Sequence, residues 1–365
     1  MADLNDYNPN TAWIVDDKRY ISKTDALIAS SDNNDSKIDF DYYNKEWDEF
    51  DWTVEPVESF KELAKQRAHQ LRDSNKYLRL WYSGGADSHT MLQTFLTNNI
   101  YIDEIVMVRA SPIDKFDSSS CQETTLRSMP YINSIRLDIP KTKISMIHLG
   151  ASQYLAYYKT EEWFRHTLGT YCFADDPGIL LSSRRNLEKY GNLKVPPGTV
   201  EITGNTKPKV IRHEGVYYTI KNDTSFHYLH WSNVRDFYTT PEFLKLHSKQ
   251  CHELKHLVEK WYPNGNIYDE IYNWGKMDPN FKKVWYSCCR QIINPEVDLG
   301  GNNGLFSPKT LLRINEAKEH NPELFKYFIE PLRELQKKIP EAWPEFDKPM
   351  NAVFISFINL GPYPQ

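Results

Sequence analysis

Between Tyr77 and Leu96 a strand, a double glycine and a helix follow one another directly, and this order most constrains the fold. Tyr77 to Tyr82 is a largely apolar run that reads as a buried strand. Gly84 and Gly85 then permit a positive φ and a close approach of a ligand to the backbone. Met91, Leu92, Phe95 and Leu96 share one face at helical spacing. A strand feeding a helix through a glycine turn aims backbone N–H groups and the positive end of the helix dipole at one spot, which suits phosphate. Ser83 and Ser88 add hydroxyl donors. Asp87 would repel a bare phosphate, and a Mg²⁺ ion between them removes the conflict. The turn therefore predicts a metal-bound polyphosphate. The plainer alternative is a strand-to-helix turn capped by an aspartate.

Around this turn the chain alternates strand and helix. Ser59 to Leu71 reads as a helix, Glu104 to Val108 as a second strand and Ile144 to Leu149 as a third. A helical pattern over Ser119 to Leu137 (with Pro130 disturbing the middle) lies between the second and third strands, and another, Tyr154 to Leu168, follows the third. Such βαβ units predict an α/β domain with a parallel sheet, and ligands of such sheets bind beyond the carboxyl ends of the strands. Val200-Glu201-Ile202 is a further short strand ending in Thr203-Gly204-Asn205-Thr206, with Lys207 just after. This stretch reads equally as part of a nucleotide site and as an ordinary turn.

The six residues Ser83-Gly84-Gly85-Ala86-Asp87-Ser88 resemble the PP-loop of the N-type ATP pyrophosphatases. That adenine nucleotide alpha hydrolase-like superfamily, of HUP-type fold, includes asparagine synthetase and phosphoadenylylsulfate reductase. The Walker pattern Gly-X-X-X-X-Gly-Lys-Ser/Thr is absent. The resemblance spans roughly residues 57 to 222 and implies ATP and Mg²⁺ as ligands. It implies triphosphate contacts from Ser83 to Ser88, Mg²⁺ on Asp87, adenine recognition near Val108 and Arg109, and nucleotide contacts from Thr203, Gly204 and Thr206. Lys207 would neutralise departing pyrophosphate. Relatives often carry an acid near the Thr-Gly turn, where this chain has Asn205 and Lys207.

The implied chemistry is adenylation: ATP yields AMP and pyrophosphate while an acceptor oxygen is activated for amide or amine formation. Glutamine-dependent asparagine synthetases carry Cys after Met1; Ala2 stands here, so free ammonia or a small amine is the expected nitrogen source. Two alternatives stay open: a sulfurtransferase or reductase-like enzyme, drawing on Cys172 with Cys288 or Cys289, and a non-catalytic nucleotide-binding scaffold. The acceptor, small molecule or macromolecule, is not legible.

The sequence divides into an acidic, aromatic N-terminal extension (1–56), the PP-loop-like domain (57–225) and a mainly helical C-terminal region (226–365). Thr11 to Ile21 reads as a hairpin, Ser22 to Ala29 as a helix, and Val210 to Ile220 as a second hairpin closing the edge of the sheet. Arg184 and Arg185 could meet a substrate carboxylate or phosphate, or form a solvated helix face. His247 and Cys251, like His252 and His256, are spaced i, i+4, which a zinc site with Cys288 and Cys289 would use, while a core stripe of Leu244, Cys251 and Val258 explains Cys251 more simply. The apolar tail Ala352 to Leu360 is expected to dock on the core or to form a homodimer contact. A net charge of −5 argues against a surface that coats nucleic acid, leaving room only for a local basic patch. Five scattered cysteines, no signal-peptide pattern and no apolar run of membrane length point to a cytoplasmic protein without a membrane partner.

Overall fold

The computed structural model describes residues 8–31, 36–115, 121, 123–160, 184–204, 210–213, 215–222, 232–261, 317–338 and 355–362. In chain order the elements are β1 (Thr11–Val15), β2 (Lys18–Tyr20), α1 (Lys23–Ser31), β3 (Ile38–Tyr42), α2 (Asn44–Glu49), α3 (Phe60–Ser74), β4 (Tyr77–Trp81), α4 (Ala86–Thr97) and β5 (Glu104–Ala110). A π-helical turn (Thr124–Ser128) leads into α5 (Met129–Ile135), followed by β6 (Lys143–Leu149), α6 (Ala151–Tyr158), α7 (Arg184–Lys189) and β7 (Thr199–Thr203). Then come β8 (Val210–His213), β9 (Val216–Asn222), β10 (Val234–Asp236), α8 (Leu244–Trp261), α9 (Pro322–Lys338) and β11 (Ile355–Pro362).

The centre is a five-stranded sheet in the order β10-β7-β4-β5-β6. Each neighbouring pair is parallel. After β4 the chain first builds outward through β5 and β6, then returns to β4's other side with β7 and β10. The direction of winding thus reverses between β4 and β7, and this switch point opens a crevice at the carboxyl ends of those two strands. The sheet takes its edge strand β10 from beyond residue 225.

Side chains of β4 alternate between two cores. Leu78, Leu80 and Tyr82 join the cluster under α3 and α4, whereas Trp81 borders the opposite cluster built on α6, α7 and α9. Each fully buried Leu contributes about 2 kcal/mol by leaving water. Ser59 caps α3 in a box: its hydroxyl accepts from the Glu62 N–H, and the Glu62 carboxylate accepts from the Ser59 N–H at 2.8 Å. Pro130, which lacks an N–H, is absorbed by the preceding π-turn, where the Met129 N–H reaches back to the Thr124 carbonyl.

A third core joins the N-terminal elements to α8 and to the β11-β9-β8 sheet. The hairpin β8–β9 forms as expected, but it does not close the central sheet. It pairs instead with β11, so the apolar tail supplies a strand for a separate sheet. The N-terminal hairpin also forms, and β3 extends it to three strands.

Candidate functional site

The β4–α4 turn stands at the carboxyl end of β4, and its shape depends on both glycines. Gly84 has φ +82°, and a Cβ there would lie 2.8 Å from the Ser128 backbone nitrogen. Only glycine fits both the conformation and the space. Gly85 is the N-cap of α4, and a Cβ on it would lie 2.9 Å from Glu123 Oε1. The Ser83 hydroxyl accepts from the Gly85 N–H at 3.2 Å and pairs with the Ser88 hydroxyl at 3.1 Å. Ser88 in turn donates to the Gly85 carbonyl at 3.2 Å. The two serines therefore brace the turn, with Ser83 exposed and Ser88 buried. Ala86, Asp87 and Ser88 open α4, so their N–H groups face outward from the first helical turn, where no i−4 carbonyl exists.

β7 ends beside this turn. A Cβ on Gly204 would lie 3.2 Å from the Tyr238 ring and 3.4 Å from the Asp87 carbonyl oxygen. The bare α-carbon lets Tyr238 through, and its hydroxyl donates to the Asp87 carbonyl at 2.6 Å. Tyr238 is itself held by Asp236, whose Oδ1 accepts from the N–H groups of Tyr238 (2.9 Å) and Thr239 (2.8 Å). Burial, then the nearby carboxylates of Asp87 and Asp236, raise the Tyr238 phenol well above its ordinary value, so it remains a donor. The Thr203 hydroxyl is buried without a hydrogen-bond partner among the described residues.

Below the turn a charged row crosses the sheet. Arg79 in β4 bonds Glu104 of β5 and Glu201 of β7, each at 2.8 Å, and the Lys194 carbonyl at 2.7 Å. The Trp81 indole N–H donates to the other oxygen of Glu201 at 2.7 Å. Lys143 meets Glu104 from β6 at 2.9 Å. Burial pushes the Glu201 carboxyl up to about 7, against the opposing pull of Arg79. Burial also acts to raise Glu104, but bonds from Lys143, Ser145 and Arg79 outweigh it and hold that carboxyl below its ordinary value. The row locks β4 between its neighbours, and removing one buried partner would cost about 3–5 kcal/mol.

Of the residues singled out in the sequence, Ser83 to Ser88, Thr203 and Gly204 meet at this crevice. Val108 and Arg109 lie near the end of β5. The Val108 carbonyl already accepts from Thr124 Oγ1 at 2.7 Å, and that of Ala110 from Cys121 at 3.2 Å. Arg109 pairs in register with His148, which burial, then the Arg109 charge, pushes below its ordinary value. Arg184 and Arg185 begin α7, whose Leu187 packs in the cluster that Trp81 borders. Asn205, Thr206, Lys207, Cys172, Cys288 and Cys289 lie outside the described residues.

The His and Cys side chains of α8 are otherwise engaged, and Cys251 lies in the core as its apolar stripe suggests. Cys251 is buried in the third core and bonds Thr219 at 3.2 Å. His247 bonds Thr239 at 3.0 Å, His252 the Trp52 carbonyl at 3.0 Å, and His256 Glu55 at 2.8 Å. Among the described residues no cluster of His, Cys, Asp and Glu could hold a metal, and no helix is long and apolar enough to cross a membrane.

The sequence reading missed Glu123, Tyr238, Arg79 and Trp81. A charge inside an otherwise apolar strand, as at Arg79 and Glu201, was the available signal, since parallel strands are buried on both faces and demand a partner. Compared with protein-family models, curated proteins and solved structures, the chain has no match.

Proposed function

We propose that the crevice between β4 and β7 binds ATP as a magnesium complex and that the protein is an adenylating enzyme of the PP-loop type. One observation carries the reading: the Ser83–Ser88 turn and the Thr203-Gly204 turn end neighbouring parallel strands on either side of the switch point. The donor set fits a triphosphate. Gly84 and Gly85 let the chain turn tightly against Ser128 and Glu123, the serine hydroxyls brace the turn, and the N-terminus of α4 favours negative charge. Asp87 in the first turn of α4 suits a hard cation, and bound Mg²⁺ would supply charge neutralisation of the phosphates.

With the outer phosphates gripped at the turn, the α-phosphorus is presented to the acceptor. An acceptor oxygen forms a bond to that phosphorus, and the bond to the bridging oxygen breaks. Pyrophosphate leaves with the electron pair. Ammonia or a small amine then displaces AMP, losing a proton as the amide or amine forms. The residues of the chain act here by positioning and by stabilising charge. The test is incubation with ATP, Mg²⁺, ammonia and a panel of carboxylic acids. AMP and pyrophosphate are the expected products; ADP and phosphate would overturn the class.

A further inference from the structure

We propose that Trp81 is the surface on which the base of the bound nucleotide rests, so that it distinguishes a nucleotide from a bare polyphosphate. This rests on the reading that the Ser83–Ser88 turn holds a triphosphate.

On the α4 side the turn is already packed. Ser128 and Arg127 stand against Gly84, Glu123 against Gly85, and Tyr238 against Gly204. A group attached to the inner phosphate therefore leaves over the opposite face of the sheet. There β4 ends in Trp81, two residues before Ser83, with Thr203 ending the adjacent β7. Leu78 and Leu80 of the same strand are fully buried, yet Trp81 keeps part of its surface open. Its indole is also fixed in orientation: Nε1 donates to Glu201 at 2.7 Å, and Glu201 is anchored by Arg79 at 2.8 Å. A large planar ring, partly open and held by its polar edge beside the end of β4, is what a nucleobase stacks on at little entropic cost.

The test compares MgATP with magnesium tripolyphosphate, both titrated calorimetrically into the full chain. Trp81→Leu is expected to weaken ATP about tenfold and to leave tripolyphosphate within twofold. Trp81→Phe, which keeps a ring and most of the packing, should weaken ATP about threefold with the same selectivity, and it decides the matter if the Leu variant fails to fold. Equal losses for both ligands, or an unchanged ratio in both variants, overturn the role of Trp81 while leaving the triphosphate turn standing. If the wild-type protein binds neither ligand, the turn reading falls and this inference with it.

Discussion

Two turns at the same edge of the central sheet look alike and end differently. After β4, Gly85 caps α4; after β6, Gly150 caps α6. At the second turn the chain supplies its own anion. Asp114 Oδ1 accepts from the Ala151 N–H at 2.9 Å, and a Cβ on Gly150 would lie only 2.0 Å from that oxygen. The Gly150 N–H is met by Gln153 at 3.0 Å. At the first turn the helix opens on serine hydroxyls, a positive-φ glycine and Asp87, and the Glu123 carboxylate stands against Gly85 rather than against the first helical N–H groups as Asp114 does at α6. A helix N-terminus beyond a parallel strand is thus no ligand site in itself. What matters is whether a side chain of the same protein has already taken the anion's place.

Four experiments would break or sharpen this contrast. The largest effect is expected from Asp87→Ala, which should lower pyrophosphate release at least a hundredfold while leaving the circular dichroism spectrum and melting temperature near those of the wild type. Normal release in this variant would remove Asp87 from the site.

Acid is the next largest perturbation, and it acts through His247, which bonds Thr239 next to Tyr238. His247 is buried against Trp47 and Trp52, and burial pushes its imidazole down to about 4. The unfolded chain binds a proton on this residue below about 6.5, and the folded chain only near 4. Stability from His247 is therefore complete above pH 6.5 and declines as pH falls toward 4, by on the order of 3 kcal/mol. Urea titrations of the wild type and His247→Gln across that range should converge at low pH. Parallel curves would place the acid sensitivity elsewhere.

Gly84→Ala comes third. It forces a side chain into φ +82° and against Ser128, so a stability loss of about 1–3 kcal/mol is expected together with weakened ATP binding. Retained affinity at full occupancy would show that the turn does not grip the ligand. The smallest effect belongs to the self-capped turn: Asp114→Ala should cost about 1 kcal/mol in thermal or urea unfolding and leave ATP affinity unchanged. A large loss of ATP affinity there would mean that the two turns have been assigned the wrong way round.

How much of this was legible beforehand differs by element. β4, β5, β6 and β7 were readable because buried parallel strands are short, largely apolar runs. β10 is only Val234-Arg235-Asp236, too short to show a period, and it lay beyond the expected end of the domain. β3 carries the alternation Ile38-Asp39-Phe40-Asp41-Tyr42, but its acidic setting hid the strand. The β4–α4 glycine turn is legible because its backbone path needs glycine at fixed positions. Glu123 and Tyr238 were not, since they reach the turn through the π-turn and through β10, contacts that no local pattern encodes. The β8–β9 hairpin is legible as a hairpin, but its partner is β11, far along the chain. Pairing partners at such separation are set by which apolar face remains to be covered.

The central claim concerns the grip of the Ser83–Ser88 turn on a triphosphate, and a crystal structure of the protein soaked with ATP and Mg²⁺ tests it most directly. The account predicts outer phosphates at the N–H groups of Gly84 to Ser88, a metal ion on Asp87 and the inner phosphate facing the end of β7. A nucleotide bound elsewhere, with that turn closed by its own side chains as α6 is by Asp114, would contradict it.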